Sequence, residues 1–179
     1  MPPEGEVTRP ITDRVKQSLF DILTPVFARE GDLRVYDCFA GTGSMGLESL
    51  SRGAIHATFF EADRPAVKLL RRNIDSLRVG AASQVITGDL FEWFDTQPPS
   101  DNTPRAGIIF LDPPYRFLTE RPADLQRLSR RMVERHLAPD GTIVFRHDAG
   151  DALALPGLHR YDERTYGGMT LEFLSPAAQ

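Results

Sequence analysis

Residues 33–50 read Leu-Arg-Val-Tyr-Asp-Cys-Phe-Ala-Gly-Thr-Gly-Ser-Met-Gly-Leu-Glu-Ser-Leu, and the rest of the predicted fold is arranged around this stretch. Its first part, 33–38, is short, mostly apolar and bounded by polar residues, which predicts a buried strand. A GxGxxG pattern of glycines follows over 41–46, and a segment of helical composition runs over 44–52. Glycine lets the backbone approach a ligand, and the start of a helix offers free N–H groups. Strand, glycine turn and helix in this order therefore predict a site for a nucleotide-like ligand.

An acid at the end of the next apolar run supports that interpretation. Glu61 lies twenty residues after Gly41 and follows the run 57–60. A carboxylate in this position can accept hydrogen bonds from the hydroxyl groups of a ribose. The alternative is a tight turn between a strand and a helix that binds no ligand.

The composition indicates one soluble globular domain. The chain has 179 residues, of which 41% are hydrophobic and 26% charged, and we expect a mobile arm over 1–8 and a single domain over 9–179. No apolar run approaches the length of a membrane span, and the first residues do not resemble a signal peptide. Cys38 is the only cysteine, which excludes an internal disulfide and favours a cytoplasmic location. We expect this cysteine to pack in the core, and the protein to be a monomer that binds no membrane.

The net charge of −4 argues mildly against a nucleic-acid partner, because phosphate contacts need a basic surface. However, Lys16 and Lys68 are the only lysines among 21 basic residues. The planar guanidinium of arginine is better suited than the lysine ammonium to bind phosphates through two hydrogen bonds and to stack on bases. The net charge therefore does not exclude a local basic patch on the surface.

Strands and helices alternate along the rest of the chain. Apolar residues at helical spacing predict a helix over 13–27, with Thr12 as its N-cap. A helix over 64–78 is expected to turn Ala66, Leu70, Ile74 and Leu77 inward. Two runs near the end, divided by a glycine pair, predict an antiparallel hairpin at the sheet edge. The remaining predicted strands are 55–61, 83–87, 106–112 and 141–146, the other helices are 90–95 and 119–137, and the hairpin strands are 158–165 and 170–174.

This alternation predicts an open, doubly wound α/β sheet of seven mostly parallel strands with the hairpin at its end. Ligands bind such a sheet at the carboxyl ends of its strands. The glycine loop and residues 112–115 both come directly after strands, so they are expected to share this edge.

The segment Asp112-Pro113-Pro114-Tyr115, here called the lip, is expected to be rigid because it contains two prolines. Asp112 can accept a hydrogen bond from an amino group, and the Pro113 carbonyl can accept another, since Pro114 keeps that residue out of a helix. Tyr115 can stack on a planar ring. These groups suit the exocyclic amine of a nucleobase. The alternative is an ordinary turn with a surface tyrosine.

Other polar residues have simpler interpretations. Asp63 is expected to cap the following helix, whereas Asp89 ends the third strand as Glu61 ends the second. The histidines show no metal-ligand spacing, and we predict no metal site. An arginine-rich helix face could touch a nucleic acid, but a solvated face is favoured. The histidines are His56, His136, His147 and His159, and the arginines are Arg127, Arg130, Arg131 and Arg135.

Three motifs together resemble a known family. The glycine loop over 37–48 and the Asp-Pro-Pro-Tyr lip are similar to those of class I S-adenosylmethionine-dependent methyltransferases that methylate amines, which have a Rossmann-like fold. The opening segment over 9–23, Arg-Pro-Ile-Thr-Asp-Arg-Val-Lys-Gln-Ser-Leu-Phe-Asp-Ile-Leu, narrows the resemblance to the RsmD type. The resemblance extends over about residues 8–174. It implies methylation of guanine N2 in small-subunit (16S) ribosomal RNA, with S-adenosyl-L-methionine as the cofactor.

The resemblance also implies residue roles. The methionine end of the cofactor is expected at Asp37 and the 39–43 loop, the ribose at Glu61, and the target base at the lip. The segment 9–14 is expected over the active site, near the cofactor and the RNA. In full, the implied cofactor residues are Asp37, Phe39, Ala40, Gly41, Thr42, Gly43, Glu61, Ala62 beside the adenine, and Asp89 and Leu90 at the adenine edge; the lip residues are Asp112, Pro113, Pro114 and Tyr115; and the RNA-binding residues are Arg9, Thr12 and Arg14.

The amino-terminal segment departs from the family pattern. The family usually has a basic, glycine-containing hairpin before the arginine-proline motif, but here eight residues precede Arg9, including Glu4 and Glu6. We expect either a start farther upstream or a different grip on RNA.

Three alternatives stay open. One is DNA methylation on adenine N6 or cytosine N4, although such enzymes usually carry an additional target-recognition region. Another is an RNA-binding or assembly module that keeps the fold without catalysis. A dinucleotide-dependent oxidoreductase fits less well, because it gives the lip no role. If the substrate is ribosomal RNA, the protein binds it either as free RNA or within a partly assembled small subunit.

Overall fold

The fold is a doubly wound sheet with helices on both faces, seen here in a computed structural model. The structure describes residues 11–29, 31–96 and 104–177. The expected arm over 1–8 and Arg9 lie outside these residues. The described elements, in chain order, are α1 (Asp13–Phe27), β1 (Arg34–Cys38), α2 (Ser44–Ser51), β2 (His56–Glu61), α3 (Arg64–Leu77), a 3-10 turn (Gly80–Ala82), β3 (Ser83–Thr87), α4 (Leu90–Thr96), β4 (Ala106–Leu111), α5 (Phe117–Glu120), α6 (Pro122–Arg131), a π-helical turn (Met132–His136), β5 (Leu137–Asp148), β6 (Leu158–Tyr166) and β7 (Met169–Pro176).

The seven strands of the described chain form one sheet in the order β3-β2-β1-β4-β5-β7-β6. The first five are parallel, and β7 pairs antiparallel with both β5 and β6. The predicted fold class is thereby confirmed. The strand order reverses at β1 and β4, so the crevice outside their carboxyl ends is where such a sheet binds ligands.

Apolar side chains on the two faces of the sheet form separate cores. On one face, α1 packs Leu19 and Leu23 against β4 and β7. On the other face, α4 and α6 pack Phe94 and Leu125 against the same sheet. Cys38 is buried in this second core, as predicted. Burial on both faces explains why the central strands are nearly continuous apolar runs.

Helix α1 runs antiparallel to the central strands. Near its end, Arg29 Nη1 donates to the Asp140 carbonyl over 2.8 Å, close to the start of β5. Near its beginning, Lys16 lines the same cavity as Thr42 of the glycine loop. The start of α1 therefore lies at the carboxyl edge of the sheet. Thr12 caps the helix, accepting from Val15 N over 3.4 Å as predicted.

The structure differs from prediction after β4. The helix predicted over 119–137 is divided, because α5 ends at Glu120 and α6 restarts at Pro122, where proline suits a first turn that needs no N–H donor. The π-helical turn then ends the helix, and Leu137 already belongs to β5, four residues before the predicted strand. Ala106 pairs with Leu137, and the register shifts before the next pair.

The inward face of α3 was predicted partly wrongly. Leu70 and Ile74 are buried, but the third buried position is Val67. Leu77 is the last helical residue and is 58% exposed.

Among the described residues, no helix combines the length and apolarity that crossing a bilayer requires.

Candidate active site

The glycine loop after β1 combines a left-handed backbone with close packing. Gly43 and Gly46 are required by their neighbours, since an added Cβ would lie 2.4 Å from Leu70 and 2.3 Å from Phe59. Gly41 has φ 55°, and an added Cβ would meet nothing within 4 Å. The backbone at Gly41 therefore borders open space, which a ligand can enter.

Phe39 begins this loop in a conformation that bulky residues rarely adopt. Its φ is 62°, and its half-buried ring packs edge-on against Phe117 with the centroids 5.8 Å apart. Unusual backbone geometry of this kind concentrates at functional sites, where the surrounding structure enforces it. Here the ring contact joins the glycine loop to the segment after the lip.

Asp37, at the carboxyl end of β1, is a buried acid. It is 3% exposed, and its Oδ2 accepts a hydrogen bond from Gly46 N over 2.8 Å. Burial raises the pKa of Asp37 to about 8; the Gly46 N–H opposes the rise, and Asp112 and Glu61 add to it. Among the described residues, no basic side chain lies within ion-pair distance of Asp37. This carboxyl group is suited to a cationic ligand group.

Glu61 ties the glycine loop to the end of β2. Its Oε2 accepts from Gly41 N over 2.7 Å, and its Oε1 accepts from Asp63 N over 2.8 Å. Each carboxylate oxygen has a second lone pair, so both can still accept from ribose hydroxyls. Ala62 lies exposed beside it. Asp63 caps α3 as predicted, accepting from Ala66 N over 2.9 Å.

The end of β3 lies against the end of β2. Gly88 N donates to the Glu61 carbonyl over 3.2 Å, which places Asp89 next to Glu61 at the same edge. Asp89 is exposed, and its Oδ1 accepts from Phe91 N over 2.7 Å at the start of α4. The side chain of Leu90 is buried in the core, so only its main chain can reach a ligand.

The lip extends β4 at the centre of the edge. Asp112 N donates to the Cys38 carbonyl over 3.4 Å, which joins the lip to the strand that carries the glycine loop. Pro113 is buried and Tyr115 is half-buried. The Pro114 carbonyl accepts from Phe117 N over 2.8 Å, so the lip turns directly into α5.

Arg146 of β5 is the partner of Asp112, and sequence reasoning missed it. Its Nε donates to Asp112 Oδ1 over 2.6 Å, and the arginine side chain is only 7% exposed. Burial raises the pKa of Asp112, and the charge and hydrogen bond of Arg146 oppose that rise. The available signal was a lone arginine in the apolar run 141–147, on a strand next to the lip.

The predicted RNA-binding segment meets this edge at the start of α1. Arg14 is exposed there, and Ser18 Oγ and Tyr166 Oη lie 2.6 Å apart, which holds α1 to the β6–β7 hairpin. Arg9 lies outside the described residues.

The arginine-rich face of α6 is largely neutralised by acids. Arg127 pairs with Asp95 at 3.1 Å and with Asp124 at 2.9 Å. Arg131 approaches Asp95 at 3.8 Å. The preference for a solvated face here is consistent with this pairing.

The histidines form no metal-binding cluster with other potential ligands in the described part of the chain. Within the described ranges, no group of three or more His, Cys, Asp or Glu side chains could hold a metal ion. His136 and His147 are buried, while His159 is exposed. Burial lowers the pKa of His136 to about 4, and Arg135 and Arg105 lower it further.

Comparison with known proteins places this architecture in a family. The family model described as "Conserved hypothetical protein 95" matches residues 1–175. "Ribosomal RNA small subunit methyltransferase D" of Escherichia coli is 39% identical over 114 residues, which are 64% of this chain and 53% of that protein. YlbH of Bacillus subtilis, a proposed rRNA methyltransferase, is 36% identical over 80% of this chain and 73% of its own length.

Solved structures agree with the fold. The Escherichia coli protein yhhF, a proposed methyltransferase, superposes with a TM-score of 0.80 at 29% identity, over 98% of this chain and 91% of that one. An RNA methyltransferase from Salinibacter ruber, solved with S-adenosyl-L-homocysteine, gives a TM-score of 0.65 at 21% identity over 95% of both chains.

These matches agree with the motifs, although this chain aligns with only about half the length of the Escherichia coli relative, 53%. The family model, by contrast, covers nearly the whole chain. This protein belongs to the RsmD-type methyltransferase family.

Proposed function

We propose that this protein transfers a methyl group from S-adenosyl-L-methionine to the exocyclic N2 amine of a guanine in small-subunit (16S) ribosomal RNA. The observation that carries the proposal is the position of Asp112. It lies at the carboxyl end of the central strand, paired with a buried arginine, on the same edge as the glycine loop. Family membership and the names of the relatives support the choice of substrate.

The cofactor fits the residues at this edge. S-adenosyl-L-methionine supplies a methyl group that its positively charged sulfur has already activated. Its cationic methionine end suits Asp37, a buried acid that has no basic partner among the described residues. The open space beside Gly41 admits a ligand to the 39–43 loop. We assign the ribose to Glu61 and the adenine to Ala62, Asp89 and the Leu90 main chain.

Asp112 and the lip act on the target base. The guanine amine is a poor nucleophile, because its lone pair is delocalised into the ring. In our proposal, Asp112 and the Pro113 carbonyl accept hydrogen bonds from its two N–H groups and direct the lone pair toward the methyl group. The carboxylate also stabilises the positive charge that develops on nitrogen, and the methylated nitrogen then loses a proton to Asp112 or to solvent. The base must leave its stack to reach the lip, and Tyr115 replaces the lost stacking.

Arg146 opposes the protonation of this acceptor. A buried carboxyl group without a partner takes up a proton and can then no longer accept in the same way. The guanidinium at 2.6 Å opposes this protonation and holds the carboxylate in one orientation. Arg146 is thus a positioning residue, because it acts through Asp112.

Ribosomal RNA also needs phosphate contacts at this edge. We propose that Arg9, Thr12 and Arg14 provide some of them, since α1 begins beside the glycine loop. Affinity for RNA should then fall with salt, and replacing Arg14 with alanine should flatten that dependence by about one unit of slope.

The proposal is tested by incubating the protein with cofactor labelled in the methyl group. The substrates are a 16S rRNA transcript, partly assembled small subunits and duplex DNA, and the modified base is mapped by mass spectrometry. We expect label on guanine N2 in RNA, and the first two substrates reveal the stage of assembly. Label on DNA adenine or cytosine would support DNA methylation instead, and cofactor binding without any transfer would support a non-catalytic module.

A further inference from the structure

We infer that the exposed face of α3 is a docking surface for the phosphate backbone of the RNA that flanks the target base. The four residues Arg64, Lys68, Arg71 and Arg72 form this surface, which we call the α3 stripe. This inference rests on the proposed function, because it assumes an RNA substrate.

The stripe follows from helical geometry. Its residues repeat at spacings of three and four, so they lie on one face of α3, and all four are exposed. Val67, Leu70 and Ile74 fix a different face of the helix in the core. The four charges extend over about 12 Å of the helix axis.

None of the four stripe residues makes an ion pair or a side-chain hydrogen bond with any other described residue. Asp75 is the single acid on this face, and within the described chain it lies beyond ion-pair distance of all four. The contrast with α6 is informative, since Arg127 and Arg131 there are paired with acids. Repulsion between like charges three and four residues apart destabilises a helix. The α3 stripe therefore does not stabilise the helix. In a chain of net charge −4, it is a concentrated source of positive potential.

The position of the stripe suits RNA bound at the lip. Helix α3 begins at the carboxyl edge, directly after Glu61 and its partner Asp63. Glu61 and the exposed Asp89 make that edge acidic, so it repels phosphates. An RNA strand that inserts one base at the lip needs its backbone neutralised beside the site. The stripe supplies that charge on the side of the sheet that carries β2 and β3.

Two double variants, R64Q/R71Q and K68Q/R72Q, test the inference. The matched control is R127Q/R131Q, which removes the same charge from the paired arginines of α6. Binding of a 16S rRNA transcript is measured by fluorescence anisotropy between 50 and 300 mM salt. Each stripe variant should lower the slope of log affinity against log salt by about two, and weaken binding at 100 mM salt on the order of tenfold or more. The control should keep the wild-type slope.

Methyl transfer by the same proteins separates the two proposals. The stripe variants should show a raised KM for RNA, with kcat at saturating RNA, cofactor affinity and melting temperature near those of the wild type. If the wild type methylates RNA and both stripe variants keep its KM and salt slope, the stripe inference is wrong and the proposed function stands. If the wild type binds cofactor but does not methylate RNA, the proposed function fails, and the salt slopes of RNA binding decide the stripe inference separately. If a stripe variant binds RNA normally but loses binding to anionic lipid vesicles, the stripe inference is wrong, and the α3 stripe binds a membrane surface instead of RNA.

Discussion

Arg146 Nε donates a hydrogen bond to Asp112 Oδ1 over 2.6 Å, between the ends of two adjacent parallel strands. The arginine is almost fully buried, whereas the carboxylate is 28% exposed. One carboxylate oxygen is thus engaged from inside the protein, and the exposed part of the group faces the edge where ligands bind. The pair is a prepared acceptor, because its geometry is set before any substrate arrives.

The first prediction concerns R146M, which keeps an unbranched side chain as far as the position of Nε but removes the guanidinium and its charge. The pKa of Asp112, already raised by burial, should rise further without the guanidinium. The charged acceptor would then form only at higher pH. The single-turnover rate of methylation at pH 7 should fall, and it should recover by up to about tenfold for each pH unit as the pH rises.

R146K is the matched variant, because lysine restores the charge without the planar fork. It should keep the wild-type pH profile at a lower rate. Removing one partner of a buried ion pair commonly costs about 3–5 kcal/mol of stability, so the melting temperature and cofactor affinity of each variant must be measured alongside. A folded R146M protein with the pH profile of the wild type would contradict the positioning role.

The second prediction concerns Asp112 itself. D112A should slow methyl transfer on the order of a hundred- to a thousand-fold, because it removes a preorganised acceptor and its charge. D112N keeps an acceptor oxygen and should be less impaired. Cofactor affinity should stay near that of the wild type in both, since Glu61 and Asp89 are unchanged. Normal transfer by D112A would exclude the lip as the catalytic site. A joint collapse of rate, cofactor affinity and melting temperature would show that Asp112 is structural.

Local sequence patterns were sufficient to predict most of the fold. The predicted helix over 13–27 and strand over 83–87 have the bounds found in the structure, because apolar periodicity and turn residues agree there. The pattern failed where one run contained two kinds of element. The segment over 119–137 reads as one amphipathic helix, but Pro122 restarts it and Leu137 belongs to a strand. Pairing of Leu137 with Ala106 is a long-range contact that local periodicity does not encode.

The same limit applies to the site. Asp112 and Glu61 were predicted because each follows a strand, and parallel strands bring their carboxyl ends to one edge. Arg146 was missed because its role depends on which strand neighbours β4. That neighbour is β5, and the partnership exists only in the folded sheet. The assigned roles of these residues remain proposals.

The third prediction concerns Glu61. E61A should weaken cofactor binding by roughly 1.5–3 kcal/mol if the charged acid bonds to the ribose hydroxyls. Part of this loss comes from the glycine loop, since Glu61 also accepts from Gly41 N. D63A is the control, because Asp63 caps α3 without holding the loop by its side chain. Unchanged calorimetric affinity in folded E61A would contradict the ribose assignment.

The fourth prediction follows from the pKa of Asp37, which is raised from 3.8 to about 8 by burial. Between these values, the folded protein without cofactor holds a proton on Asp37 that the unfolded chain has released. The contribution of this group to stability is therefore complete below about pH 4 and is lost as the pH rises through 8. The limiting slope is about 1.4 kcal/mol of unfolding free energy per pH unit.

D37N tests this directly, because its amide oxygen can still accept from Gly46 N but cannot titrate. Denaturant unfolding of the cofactor-free protein, measured from pH 5 to 8, should show wild-type stability falling relative to D37N as the pH rises. A cationic ligand group beside Asp37 favours the ionised form, so cofactor affinity of the wild type should rise with pH over the same range, by at most about tenfold per unit. D37N should bind the cofactor weakly and without this pH dependence. Parallel affinity curves for the two proteins would show that Asp37 does not meet the cationic end of the cofactor.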